Sequence, residues 1–191
     1  MNRLVLCTAL AASAALLPTT ALAQAAPILI VDSERVLSDC TACKSASTQL
    51  QQKQEAMRAR AQTLQTQLQT EGKPLQAAVD ALNGKEPDAA LKAKITAFQT
   101  KEKNAQQELQ GAQQTLQATL ANVQQQIGTK LVSVVEQIRA RRGAAIVLSK
   151  NSTIANDSAI DVTTEVLTAL NQQLPSVSVT PMTQRQAPQG R

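Results

Sequence analysis

The strongest constraint on this chain is a stripe of apolar residues at helical spacing that runs through most of its length. Between Lys44 and Leu82 the spacing approaches a heptad repeat, with gaps at Gln54 and at Glu71-Gly72. A second stripe runs from Leu91 to Ile138, and its consecutive steps of four resemble coiled-coil stutters. Sustained spacing of this kind predicts long helices that pack against another helix.

A cluster of turn-forming residues, 83–88, separates the two stripes. Asp88 is a candidate N-cap of the second helix. Gly72-Lys73-Pro74 predicts a kink in the first helix, because proline removes an amide donor and clashes with the preceding turn. We therefore expect an antiparallel helical hairpin, a coiled-coil arm, over residues 44–142. Its first helix has 39 residues and would reach roughly 58 Å at about 1.5 Å per residue.

The segments that flank this arm have the composition of buried strands. Residues 27–32 read PILIVD and residues 144–148 read AAIVL. After a turn at 149–152, residues 153–155 are predicted to form a third strand and to complete a hairpin. The stretch between Ser33 and Cys43 is predicted to be a loop that contains a short helical turn.

Asp161 is a candidate cap of a last helix over residues 162–173. The fold class is therefore α+β, with a small β-rich body formed by residues 24–43 and 143–174. Because three short strands and one helix make a very small core, we expect the body to be stabilised by oligomerisation. Residues 175–191 are rich in Pro, Gln, Ser and Thr and are predicted to be a disordered tail.

The first 23 residues have the parts of a secretory signal peptide. Arg3 supplies a positive charge, Leu4 to Leu17 is apolar and uncharged, and Ala21-Leu22-Ala23 has the small-x-small pattern of a cleavage site. We expect cleavage after Ala23 and export of the remaining chain.

Composition argues against an enzyme. The chain has no His, so Ser-His-Asp and Cys-His catalysis and metal sites that contain histidine are excluded. Its six glycines do not cluster into a phosphate-binding loop. We expect no cofactor and no metal. Nucleic acid is a poor candidate partner, because export removes the opportunity and Phe98, the single aromatic residue, offers almost nothing for base stacking.

Several of these segments resemble one family. The segment 28–37, ILIVDSERVL, resembles its opening strand, and IVLSKNSTIAN followed by the Asp161-Val162-Thr163 helix resembles its closing pattern. In this order, and with a helical hairpin between them, they resemble the Skp (OmpH-like) family of periplasmic outer-membrane-protein chaperones. The resemblance implies a periplasmic, jellyfish-like homotrimer whose bodies share a barrel. Its arms would enclose a cavity that holds unfolded outer-membrane proteins without ATP.

The resemblance implies that the arms bind clients. Between Lys44 and Arg142 there are 14 basic and 8 acidic side chains, a net charge of +6, which would attract acidic clients. Many weak contacts in one cavity would add avidity. The charged candidates for client contact are Lys73, Lys85, Lys92, Lys94, Lys101 and Lys103, and the apolar candidates are Met57, Leu64, Leu68, Leu75, Leu82, Ile95 and Phe98. For any single residue, helix packing or a solvated face is the simpler interpretation.

Arg139, Arg141 and Arg142 form a basic cluster near the body. They are candidates for contact with lipopolysaccharide or an anionic membrane surface, since arginine suits phosphate. The simpler interpretation, which we prefer, is that they complement the negative end of the helix.

Cys40 and Cys43 are absent from the pattern associated with the family. A local disulfide in an oxidising compartment is the favoured interpretation. A thioredoxin-like centre would need a βαβ context, and a zinc site would need about four ligands. Two other functions compete with the chaperone. One is a structural coiled-coil protein of the envelope without chaperone activity, and the other is an oxidoreductase that uses the cysteine pair.

Overall fold

The computed structural model describes residues 27–182. The predicted signal peptide and the last nine residues of the predicted tail lie outside this range. Among the described residues, none of the helices is both long enough and apolar enough to cross a membrane. In chain order the main elements are β1 (Ile28–Val31), α1 (Ser33–Asp39), α2 (Thr41–Asp80), α3 (Ala89–Arg141), β2 (Ile146–Ser149) and α4 (Thr163–Gln173).

Helices α2 and α3 form the predicted antiparallel arm. α2 continues through Pro74 without interruption. The chain reverses where Asn83 and Gly84 take left-handed backbone angles, φ 48° and 85°, the region that Asn and Gly occupy at least cost. The Asp88 carboxylate then accepts a hydrogen bond from the Leu91 amide at 2.7 Å, which confirms Asp88 as the N-cap of the second helix.

Residues 33–39 form a helix and Cys40 separates it from α2, so the predicted loop was wrong, although the short helical turn predicted within it lies inside α1. Asp32 caps α1 by accepting a hydrogen bond from the Arg35 amide at 2.9 Å, and Val36 is fully buried on the inner face of the helix. The cap and this buried contact stabilise a helix of only seven residues. α2 then begins at Thr41, three residues before the predicted start.

The predicted β-hairpin at residues 144–155 was also wrong. β2 pairs in parallel with β1, with Ile28 opposite Ile146 and Val31 opposite Ser149. The whole arm lies between the two strands and supplies the long crossover connection that parallel pairing needs. Residues 150–152 and 158–160 form 3₁₀ turns, and none of the five residues between them is in a strand. Within residues 27–182 the sheet has two strands, extended by one bridge between Ile30 and Asp161.

The core of the body lies between α1, α4 and the base of α3. Val36, Val134 and Val166 have no exposed area, and Ile138 is 1% exposed. The two α3 residues in this set belong to the stripe that was predicted to pack within the arm. The base of α3 is therefore shared between arm and body, and the core is larger than the short strands alone would allow.

The beginning of the tail differs from the prediction. Residues 175–182 contain no helix or strand, but Val179 is buried against the base of the arm. Three side chain–backbone hydrogen bonds to α3 hold this segment. The expectation of disorder was therefore wrong for residues 175–182. Composition alone gave no weight to the two valines, which alternate with small polar residues.

Candidate functional site

Two apolar grooves run along the outer half of the arm. The groove nearer the tip has a volume of about 510 Å³ and is formed by both helices, with Leu75 on one side and Leu91 and Phe98 on the other. Phe98 packs against Gly72, where an added Cβ atom would lie 2.9 Å from the end of the ring. Gly72 therefore makes room for the one aromatic side chain of the protein.

The second groove lies next to the first, closer to the body. Its volume is about 430 Å³ and its apolar lining includes Leu64, Leu68, Ala105 and Leu109. Phe98 lines both grooves, so its ring connects the two apolar surfaces. Such concave apolar surfaces on an exposed element are typical of binding sites.

The predicted apolar contacts are only partly brought together. Leu64, Leu68, Leu75 and Phe98 line the two grooves. Leu64 is 8% exposed, so it serves mainly as helix packing. Three further candidates are half-buried along the helix interface and line neither groove, namely Met57, Leu82 and Ile95.

The six predicted lysines divide into paired and unpaired groups. Lys92 bonds Glu86 in the turn, and Lys101 bonds Glu71 across the hairpin. The other four are exposed and, among the described residues, have no carboxylate oxygen within 4.0 Å: Lys73, Lys85, Lys94 and Lys103. Residues 71–103 hold six basic and five acidic side chains. The net charge of the tip is therefore close to zero. Its apolar surface offers more to a binding partner than its net charge does.

A salt bridge fixes the two arm helices near their middle. Arg60 Nε lies 2.6 Å from Glu108 Oε1 and Nη2 lies 3.0 Å from Oε2. This mutual hydrogen bonding raises the pKa of Arg60 and lowers the pKa of Glu108. Both side chains are about half-exposed, so the pair sets the alignment of the helices more than it adds stability.

Each arginine of the candidate lipid contact has a carboxylate partner. Arg139 makes two bonds to Glu136, which raise the pKa of Arg139 and lower the pKa of Glu136, and it also donates to the Ala144 carbonyl at 2.7 Å. Arg141 and Arg142 both bond Glu165 of α4, at 3.0 and 2.7 Å. The cluster thus ties the end of α3 to the body, and its charge is largely compensated.

The sulfur atoms of Cys40 and Cys43 are joined in a disulfide, with the Cα atoms 5.1 Å apart. Cys40 is fully buried and stands at the corner between α1 and α2. Next to it, the Thr41 amide donates to Asn171 Oδ1 at 2.9 Å, which fixes the corner to α4. The pair therefore lies in a structural position at the base of the arm.

One site was missed by sequence reasoning. At the base of the arm, Val179 of the tail occupies an apolar depression formed by Ala46, Val123 and Ile127. Gln126 of α3 bonds the backbone of the tail beside it. The available signal was the alternation of Val with Ser and Thr in residues 176–180, which is a strand pattern.

A family model described as "Outer membrane protein (OmpH-like)" matches residues 27–170. The chain belongs to the OmpH-like family. The resemblance found in the terminal motifs is thereby confirmed, and the family match ends just before the tail.

The OmpH-like fold is also seen in a crystal structure from Caulobacter crescentus CB15, described as a "putative outer membrane chaperone (OmpH-like)". The two chains are 20% identical, with a TM-score of 0.67, over 84% of this chain and 92% of that chain. At this identity the comparison supports the α+β fold alone. No curated protein sequence matches the chain.

Proposed function

We propose that this OmpH-like protein is a periplasmic holdase chaperone that binds unfolded outer-membrane proteins without ATP. The observation that carries the proposal is the pair of apolar grooves joined by Phe98 on an arm that projects from the body. A holdase needs shallow apolar surface that contacts many different chains weakly. Grooves of this kind, open to solvent along a helical hairpin, have that property.

Within this proposal, charge has a secondary role. The four unpaired lysines lie on or near the tip, and Lys94 also lines the groove nearer the tip. They would attract acidic clients at long range, an effect that salt screens. Because residues 71–103 are nearly neutral in total, we expect salt to slow client capture more than it weakens the final complex.

We further propose that the protein works as a homotrimer assembled through the body. Ile28 and Ile146 are paired in register on the sheet and are each nearly half-exposed, and Ile154, which follows the 3₁₀ turn after β2, is fully exposed. Exposed apolar patches with a free strand edge commonly mark interfaces. Three copies would bury this patch and direct three arms to one side, which would enclose a cavity and multiply weak client contacts.

The holding activity is tested by light scattering of a urea-denatured outer-membrane barrel protein diluted into buffer with the mature chain. We expect aggregation to be suppressed near three chains per client. Phe98→Asp should weaken suppression several-fold, because it places a charge where the two grooves meet. Gln99→Asp adds the same charge at an exposed neighbouring position and should have little effect. If the mature chain fails to suppress aggregation at any ratio, a structural coiled-coil protein of the envelope becomes the better account.

The assembly is tested by sedimentation equilibrium. The mature chain should sediment as a trimer, and Ile154→Asp should shift it to monomers, whereas Ser152→Asp, an exposed neighbour, should not. A monomeric wild-type chain at micromolar concentration would contradict the trimer.

A further inference from the structure

The tail of this protein occupies a groove at the base of the arm as an extended peptide. Residues 176–180 read SVSVT, and the segment lies between Pro175 and Pro181. Val179 is 8% exposed and packs on Ala46, Val123 and Ile127, whereas Ser178 and Thr180 on either side of it are exposed. The segment is thus bound by alternate side chains, as a strand would be.

Its hydrogen bonds to α3 involve only the backbone of the tail, since the Ser178 and Thr180 hydroxyls bond each other at 2.8 Å. Gln126 accepts a hydrogen bond from the Ser178 amide and donates one to the Ser178 carbonyl, both at 3.0 Å. Asn122, one turn earlier on α3, donates to the Thr180 carbonyl at 2.9 Å. A side-chain amide that bonds both polar groups of one residue imitates the pairing of a neighbouring strand. No tail side chain is needed for these bonds, so other sequences could make them.

The ligand class follows from this geometry. The groove accepts an extended segment with an apolar residue at every second position and small or polar residues between them. Strands of transmembrane β-barrels have this alternation, with apolar residues facing lipid. The tail therefore has the pattern that an unfolded barrel strand would present.

We propose that the groove formed by Ala46, Asn122, Val123, Gln126 and Ile127 is a binding site for β-strand segments of unfolded clients, and that the tail is an internal competitor for it. This inference rests on the proposed chaperone function and adds a second client site at the base of the arm. The tail is tethered at Leu174, so its effective concentration is in the millimolar range. Weakly bound segments are displaced by it, which gives a holdase without ATP a means of release.

The proposal is tested with a fluorescein-labelled peptide of residues 174–182, LPSVSVTPM, in anisotropy titrations against the full mature chain. Val179→Asp removes the tail from the groove and should tighten peptide binding by about tenfold or more, because the internal competitor is lost. Ser176→Asp places the same charge at an exposed position of the tail and should bind the peptide as wild type does.

The groove itself is tested in the background of Val179→Asp. Adding Gln126→Ala should weaken peptide binding at least fivefold, whereas Gln125→Ala, an exposed neighbour on the same helix, should not. A peptide with its two valines adjacent, LPSSVVTPM, should bind more weakly than the alternating one. Equal binding by both peptides, or no gain from Val179→Asp, would overturn the proposal and leave the tail as a fixed strap on the arm.

The same variants, examined in the aggregation assay, separate this inference from the proposed function. Val179→Asp should suppress client aggregation at a lower ratio of chaperone to client than wild type. Suppression of aggregation by wild type, together with no peptide binding by Val179→Asp, would overturn the groove proposal and leave the chaperone function standing. Specific peptide binding by a chain that never suppresses aggregation would support the groove as a strand-binding site and contradict the holdase.

Discussion

Asp161 gives the body a pH-dependent part of its stability that one substitution can isolate. Its carboxylate precedes α4 and accepts a hydrogen bond from the Thr163 amide at 3.0 Å, and Lys150 Nζ lies 3.0 Å from its other oxygen. The Thr163 hydroxyl contributes most to lowering the pKa of Asp161, which falls from 3.8 to about 2. Its side chain is 19% exposed, so solvent screens these contacts only in part.

The size of the effect follows from the pKa. One pKa unit corresponds to about 1.4 kcal/mol, so ionised Asp161 stabilises the folded state by about 2 kcal/mol. Because the folded pKa lies below the unfolded one, this contribution is complete above about pH 5 and is lost progressively as the pH falls to about 1. Asp161→Asn should therefore lower the free energy of unfolding by about 2 kcal/mol at neutral pH and by only a small part of that near pH 2.

The measurement is urea unfolding of the wild-type and Asp161→Asn chains from pH 7 to pH 2, at one protein concentration because assembly shifts apparent stability. Taking the difference between the chains cancels the titration of other carboxyl groups. Thr163→Ser retains the hydroxyl and should preserve the pH dependence, whereas Thr163→Val should reduce it. A difference between wild type and Asp161→Asn that stays constant across this pH range would refute the reasoning.

Three further outcomes are expected. In urea titrations, Ile138→Ala should lower the free energy of unfolding by about 2–5 kcal/mol, because it leaves a cavity in the core. The control Gln124→Ala, at an exposed position, should lower it by about 0.5 kcal/mol or less. Replacing Cys40 and Cys43 together by Ala should lower the free energy of unfolding by about 2 kcal/mol, since the disulfide closes a short loop. Suppression of aggregation should remain intact, and loss of this suppression would favour the oxidoreductase. Glu165→Gln should increase flotation of the chain with anionic vesicles, and unchanged flotation would count against the arginine cluster as a lipid contact.

The arm was predictable because its determinants are local. A stripe at helical spacing, a cluster of turn formers and a capping Asp88 are each readable within a few residues. The structure has the hairpin, the reversal and the cap where these signals place them. Pro74 was predicted to kink the first helix and not to end it, and α2 continues through it.

The body was less predictable because its contacts join residues far apart in sequence. The parallel register of β1 and β2 is formed across more than a hundred intervening residues, and no local pattern distinguishes it from a hairpin. The helical state of residues 33–39 similarly depends on Val36 entering a core built with α3 and α4. In both places tertiary packing decided between local alternatives.

The candidate site shows the same division. The sequence identified the lysines and the apolar residues of the arm by type. It did not show which lysines form ion pairs, since the partner of Lys101 lies thirty residues away at Glu71. The grooves arise where Phe98 meets Gly72 across the hairpin, a contact that neither stripe specifies. The groove at the base of the arm was missed because the tail was assessed by its composition. The alternation of valine with small polar residues in the tail, and not its composition, is what fits the groove.

Packing along the arm supports the proposal that clients bind there. Beyond the base, from about residue 47 on α2 to residue 118 on α3, only Leu64 and Ala105 are buried among the described side chains. The ion pairs that join the helices there, Arg60 to Glu108 and Lys101 to Glu71, are exposed and contribute little stability. Such a region opens locally at low free-energy cost. In the proposed function, apolar side chains of the helix interface would turn from each other toward a client, while the well-packed body keeps the arm in place.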